Sequence, residues 1–332
     1  MKTLHPKTTA IIGICAIFLF LSSCSTKPNK PGFWVDGKID ASITDKFHDQ
    51  NKELFRNIKI QDTRRVHLTL SKEMLDNSTK TVRDIDHIRN ALNKSDYEIF
   101  KEVYVINKWK DRDTLALSDG KNNFTLTYPG DAKEMYFAMY LPKTGDNKRM
   151  ITLTYANTDY GWRITKLEVA PYTVNGKTAP EHYKVAQEDE ANKYYADAVT
   201  TIGMGVACVK PNQAWEYAAE KDMMTYYDKL VAEANTKFKF PMFINNIGAP
   251  AAIFRIYDQR NDDGVFPTIC YLTKINIKNV AAIQQENLKI QKVIGSVVPG
   301  IDKNKKFLLF SAYNKIPIDA YQEHVDMTEK LQ

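Results

Sequence analysis

From Tyr97 onward the hydrophobic period of this chain changes from helical to two, and that change fixes what the N-terminal half can become. Tyr97, Ile99, Val103 and Val105 alternate with Phe100, Tyr104 and Ile106, so both faces of the segment are apolar. Further strands are read over Asp111–Leu117, Asn123–Tyr128, Glu134–Leu141, Arg149–Ala156 and Gly161–Tyr172. Ser118-Asp119-Gly120-Lys121, Pro129-Gly130-Asp131 and Thr144-Gly145-Asp146-Asn147 separate them. Such short, φ-permissive breaks join neighbours as antiparallel hairpins. The last strand carries a conflict: Trp162 and Ile164 share one face, whereas Leu167 and Val169 have the other parity. A β-bulge or bend near Thr165-Lys166 would return both pairs to the core.

Helical periodicity precedes the strands. Ile43, Phe47, Leu54 and Ile58 mark a helix over 41–60; Val82, Ile85, Ile88 and Leu92 mark another over 82–93. Helices followed by a long bent meander ending in Gly161-Trp162-Arg163-Ile164 resemble the NTF2-like, cystatin-like α+β fold, over residues 41–177. The resemblance implies a cone between sheet and helices, either a ligand pocket or a filled core. Some enzymes of that fold use a buried Asp and Tyr in the cone for proton transfer. Tyr104, Tyr136, Tyr140 and Tyr155 are the candidate lining, with no carboxylate visibly among them.

Residues 178–237 read as a helical connector. Thr178, Pro180 and Glu181 form a capping-box start, and the helices run to about Val209. Pro211 stops them, and Asn212 is placed to cap a third helix containing Trp215, Tyr226, Tyr227 and Leu230. Residues 238–332 read as a small α+β domain in the order strand-strand-helix-strand. Its strands are Ala251–Tyr257, Val265–Thr273 and Lys306–Tyr313. Asn279 caps its helix and Gly295 ends it. The expected fold class is α+β throughout.

The N-terminus carries a separate message. Lys2 and Lys7 precede an apolar run from Ala10 to Leu21, too short for the ~20 residues of a membrane-spanning helix and fit for a signal sequence. Leu21-Ser22-Ser23-Cys24 resembles the lipobox of bacterial lipoproteins. The resemblance implies that residues 1–23 are a signal peptide, and that Cys24 becomes the acylated first residue of the mature chain, bound to the lipid bilayer. Residues 24–40 then read as a tether, with Pro28 and Pro31 keeping its start extended. Ser25, with no acidic run after it, implies by the sorting habits of lipoproteins a cell-envelope location at the outer membrane, facing the periplasm. The layout is similar to that of uncharacterised lipoproteins, which implies no activity.

The +6 formal charge falls to +4 once Lys2 and Lys7 leave with the leader, and the bases are interspersed with acids. That is a solvated surface rather than a nucleic-acid footprint. Cys208 and Cys270 are the cysteines beyond Cys15 and Cys24. An oxidising compartment permits a bridge between them, while their apolar surroundings equally fit two buried thiols. The six histidines show no metal-ligand spacing, and no nucleophile elbow or phosphate loop is present. Asp84 and His87 share a helix face as a surface pair, and Asp258–Gly264 reads as a hairpin rather than a calcium loop. No cofactor is expected. The favoured reading is a non-enzymatic envelope lipoprotein with a protein partner. The alternatives are small-molecule binding in the cone, and an enzyme of unstated reaction.

Overall fold

A computed structural model of the chain describes residues 30–331 except 110, 246, 262 and 320. The leader, Cys24 and the tether as far as Asn29 lie outside the described residues. The first strand, Gly32–Val35 (β1), is followed by four helices: Ala41–Lys59 (α1), Thr63–His67 (α2), Lys72–Asp76 (α3) and Ser78–Lys94 (α4). Six strands come next: Tyr97–Ile106 (β2), Asp113–Ser118 (β3), Asn123–Tyr128 (β4), Glu134–Pro142 (β5), Arg149–Thr158 (β6) and Gly161–Pro171 (β7). Helices Ala179–Ala191 (α5) and Tyr195–Ala207 (α6), strand Trp215–Tyr217 (β8) and helix Glu220–Lys237 (α7) lead to the C-terminal part. That part contains Met242–Ile244 (β9), Ala251–Asn261 (β10), Gly264–Leu272 (β11), Val280–Val297 (α8), Phe307–Tyr313 (β12) and Val325–Lys330 (β13). The class is α+β.

The central sheet is antiparallel in the order β1-β2-β5-β6-β7. Its two apolar faces meet two different layers. Tyr104, Tyr136, Tyr155 and Ile164 pack against Phe47, Leu54 and Ile58 of α1 and Ile88 and Leu92 of α4. Val103, Val105, Phe137, Met139 and Met150 face a second core with Leu126 of β4, Ala198 and Ile202 of α6 and Leu230 of α7. A sheet covered on both sides carries apolar residues at consecutive positions, which is why β5 is buried almost throughout. Ile88 and Leu92 are buried as their spacing predicts, but Val82, in the first turns of α4, is 49% exposed.

The bulge falls where the parity conflict requires it. Thr154 pairs with Lys166 and Tyr155 with Ile164, leaving Thr165 as the extra residue. Both Ile164 and Leu167 are thereby buried, with Trp162 and Val169 packed beside them.

Three boundaries differ from the expectation. The stretch 24–40 is not tether throughout, because Phe33-Trp34-Val35 has strand pattern and pairs as β1 with the end of β2. Asn212 does not cap a helix at Trp215. Its Oδ1 instead accepts from the Ala214 N–H at 3.0 Å, and β8 adds to the β3–β4 hairpin as a third strand. The physical reason is Trp215, fully buried with its ring stacked 3.4 Å from that of Phe124. Trp215 and Tyr217 share a face at the period of a strand, and the helix starts only at Glu220. The connector 178–237 joins the N-terminal core through α5, α6, β8 and α7, while α6 also touches the C-terminal domain.

The C-terminal sheet has the order β13-β12-β11-β10-β9, with α8 packed on one face. β9 and β13 extend the expected strand set at both edges. The β11–β12 pair is parallel, since the connection passes through α8, and parallel neighbours require such a crossover. Asn279 caps α8 through the Ala282 N–H at 3.2 Å, as expected. Gly295 does not end the helix, which runs to Val297. A Cβ at Gly295 would lie 2.7 Å from both carboxylate oxygens of Asp302, so close packing explains that glycine.

Candidate functional site

The structure brings Tyr104, Tyr136, Tyr140 and Tyr155 onto one face of the central sheet, at register positions on β2, β5 and β6. They fill the interior. Phe47 of α1 stacks on Tyr136 with centroids 3.9 Å apart, and sits 4.9 Å from both Tyr155 and Trp162. None of the four tyrosines is more than 6% exposed. Tyr155 also borders a shallow surface cavity of about 370 Å³ with Trp162, Arg65 and Arg163.

A carboxylate does stand among these rings. Glu102, 5% exposed on β2, accepts the Tyr136 hydroxyl and lies 2.9 Å from Nε2 of His48 through each oxygen. One helical turn beyond His48, Asn51 donates to Tyr140 Oη at 2.7 Å and accepts the Tyr155 hydroxyl. Burial, reinforced by Glu102, pushes the Tyr136 phenol far up, and burial does the same to Tyr140 and Tyr155. Sequence reasoning missed Glu102 and Asn51, whose signal was a polar residue inside an apolar period. The network is satisfied and enclosed, with His48 as its exposed end, so it acts as a polar pin inside the core.

A second concavity lies where the turns of the N-terminal sheet, the α5–α6 hairpin and the C-terminal domain meet. This cleft of about 470 Å³ is lined by His182, Asp189, Asp197, Thr201, Lys305 and Phe266, among others. α5 and α6 supply both carboxylates because the chain reverses at Asn192-Lys193-Tyr194, with Lys193 in the left-handed region at φ 65°. Asp197 lies 3.0 Å from the Lys305 ammonium, both side chains nearly buried. Burial pushes the Asp197 carboxyl up to about 7 against the opposing pull of Lys305. Burial likewise raises Asp189, against the hydrogen bond from Thr201. His182, 1% exposed, holds the Val174 carbonyl at 2.8 Å through Nε2, and its Nδ1 has no partner. Burial drives its pKa down to about 4 against the opposing pull of the Val174 hydrogen bond, so the ring is neutral at pH 7. Lys305 also donates to the carbonyls of Gly300 and Ile301, at 3.2 and 2.9 Å. Its ammonium is therefore committed to holding a turn, not free to act on a substrate.

Cys208 and Cys270 are both free and buried. Cys208 belongs to the core of the N-terminal unit and donates to the Met204 carbonyl at 3.3 Å. Cys270 lies on β11 in the other domain, so the bridge that an oxidising compartment permits is not formed. Among the described residues no group of His, Cys, Asp or Glu is arranged to hold a metal ion. Asp84 pairs with Lys80 and Asp86 with Arg89, so the expected Asp84–His87 face is a salt-bridged surface. A Ser311–Asp326–His324 trio spans β12 and β13, but its order is wrong for an activated nucleophile. Asp326 stands between the other two, at 2.6 Å from Ser311 Oγ and 3.3 Å from His324 Nε2, and no imidazole reaches the hydroxyl.

One surface feature stands out on the C-terminal domain. The connection between β12 and β13 leaves Ile316, Ile318 and Tyr321 exposed at 59%, 89% and 95%. Sequence reading passed over this segment because it contains no regular period. Compared with models of known families, with curated proteins and with solved structures, the chain gives no match.

Proposed function

We propose that the chain is a lipid-anchored envelope protein, held at the bilayer through acylated Cys24, whose C-terminal domain binds a protein partner without catalysis. The observation that carries this reading is the β12–β13 connection, with Ile316, Ile318 and Tyr321 held in water. Clustered exposed apolar side chains mark interaction surfaces. Capture from envelope membranes of the source cell tests it. A partner retained by the parent chain is lost by the Ile316→Ser, Ile318→Ser double variant, and equal recovery by both sinks the assignment. The mass of the mature N-terminus tests the anchor: an unmodified Cys24 or an intact Met1 overturns it. The NTF2-like, cystatin-like kinship of residues 41–177 belongs to the same proposal, supported by helices packed on one face of a bulged antiparallel sheet.

A second reading, a small polar ligand in the junction cleft, is favoured by the unpartnered Nδ1 of His182 at its wall. Such a ligand would present a hydroxyl or amide N–H to the neutral imidazole. The filled interior argues against the alternative of a ligand site among the four tyrosines. A thermal-shift screen of polar small molecules decides the matter: a shift abolished by His182→Phe supports the cleft, and no shift removes it.

A further inference from the structure

The central sheet begins at Gly32, which pairs with Ile106, the last residue of β2. The chain arriving from the tether therefore enters beside the connection that leaves β2. Hydrogen bonds hold its flanks at Asn107 and Asp111. Asn107, 5% exposed, receives the Tyr128 hydroxyl at 3.1 Å. It donates its side-chain amide to the Ala132 carbonyl at 2.7 Å and its backbone N–H to the Lys133 carbonyl at 2.8 Å. From the other side Gly130 donates to the Asp111 carbonyl at 2.9 Å. A Cβ there would stand 2.5 Å from that same oxygen and 3.2 Å from the carbonyl oxygen of Trp109.

Between these flanks the Trp109 side chain stands outward at 71% exposure, with the Lys108 ammonium 5.3 Å from its ring. The other three tryptophans are buried or half-buried. Phe33 of β1, 46% exposed, lies on the same edge, and Lys30, Arg112 and Lys133 are exposed around it. Asp111 and Asp113 are present too, each accepting the backbone N–H of the next residue at 2.7 Å.

We propose that this edge, Trp109 and Phe33 with Lys108, Arg112 and Lys133, lies against an anionic lipid surface and orients the N-terminal unit on the bilayer. The inference rests on the reading of Cys24 as a lipid anchor. Indole rings beside lysines are the side chains of a membrane–water interface. Eight residues from Cys24 to Gly32 span at most about 28 Å, so an anchored Cys24 holds β1 and this connection within that distance of the headgroups.

The test uses the mature chain with Cys24→Ser, made without the leader, so that no acyl chain contributes. It is sedimented with vesicles of phosphatidylglycerol and phosphatidylethanolamine, and with neutral phosphatidylcholine vesicles. Binding is expected to the anionic vesicles and to fall with added salt. Trp109→Ala weakens it about tenfold, and Lys108→Gln about fivefold. Ile318→Ser on the other domain leaves it unchanged. Equal binding to neutral vesicles, or full binding by Trp109→Ala with an unaltered melting temperature, overturns the proposal. So does loss of binding in Ile318→Ser alone. An unacylated Cys24 in the native host, with vesicle binding intact, overturns the anchor and not this contact.

Discussion

The side-chain amide of Asn175 pairs with both backbone groups of Val265, accepting its N–H at 3.0 Å and donating to its carbonyl at 2.9 Å. An asparagine from the turn after β7 thus acts as a one-residue strand against the start of β11, and ties the two α+β units together. The contact depends on two unusual backbones. Asn175 sits at φ 46°, and Gly264 at φ +145° leaves room for the amide, since a Cβ there would meet Asn175 Oδ1 at 2.1 Å. Lys306–Asp146 at 3.2 Å and Thr200–Asp258 at 2.7 Å flank the same junction.

Asn175→Ala removes both hydrogen bonds and leaves the Val265 backbone groups unpaired at the junction. The expected loss is about 2 kcal/mol. Gly264→Ala costs at least as much, through steric overlap and a left-handed φ together. Denaturant titration reads both effects, and wild-type stability in both variants would show that the junction contributes nothing to folding.

Thr165 is the residue that reconciles two parities in β7. Its deletion sets Ile164 and Leu167 two residues apart, so both apolar pairs keep the core face in a regular strand that needs no bulge. The deletion variant is therefore expected to keep cooperative unfolding, and Thr165→Ala to stay within about 1 kcal/mol of the parent, whereas loss of cooperativity on deletion would show that the bend itself is required. Calorimetry reads both.

Phe47 is 1% exposed and touches Tyr136, Tyr155 and Trp162. Phe47→Ala empties the centre of the cone at a cost of about 4 kcal/mol. A drop below about 1 kcal/mol in urea titration would contradict a filled interior.

The pH dependence of stability separates Asp197 from His182. Asp197 is raised to about 7 in the folded chain from an ordinary 3.8. Between those values the unfolded chain has lost a proton that the folded chain keeps, so this group subtracts stability as pH rises. His182 is lowered to about 4 from 6.5, which adds stability as pH rises across that window. The two oppose each other below pH 6.5. Asp197→Asn removes the first effect alone, and Asn still offers Lys305 an oxygen. Its melting temperature should therefore gain on that of the parent from pH 4 to 7 and level off above. A constant difference would refute the assignment.

Cys208 and Cys270 supply a further check. Burial pushes the two thiols up to about 12 and about 11, so neither is a thiolate at neutral pH. In the Cys24→Ser chain an aromatic disulfide reagent should find both thiols only after unfolding. Failure to label them in denaturant without reductant would mean they are bridged.

Much of the fold was legible because it is local. The antiparallel hairpins follow from period two and Gly- or Asp-bearing turns; the capping box at Thr178 and Glu181 formed as read, with the Thr178 N–H 2.9 Å from Glu181 Oε2. Even the bulge was legible, because a parity conflict inside one strand has few resolutions. Trp215 was misread because its strand is three residues long and owes its state to Phe124 across the sheet, not to its neighbours in sequence. Glu102 escaped notice because its partners, His48 and Tyr136, lie 54 and 34 residues away.

The sequence by itself determined the class of most segments, since period and turn chemistry act within a few residues. Tertiary structure alone decided that the tyrosines of the cone surround Phe47 rather than a cavity, and that Asp189, Asp197 and His182 line one cleft. It alone decided that Asn175 locks Val265 and that Trp109 stands exposed after β2, beside the strand β1. Each of these depends on distances between residues far apart in the chain, which hydrophobic period does not encode and packing of the whole molecule does.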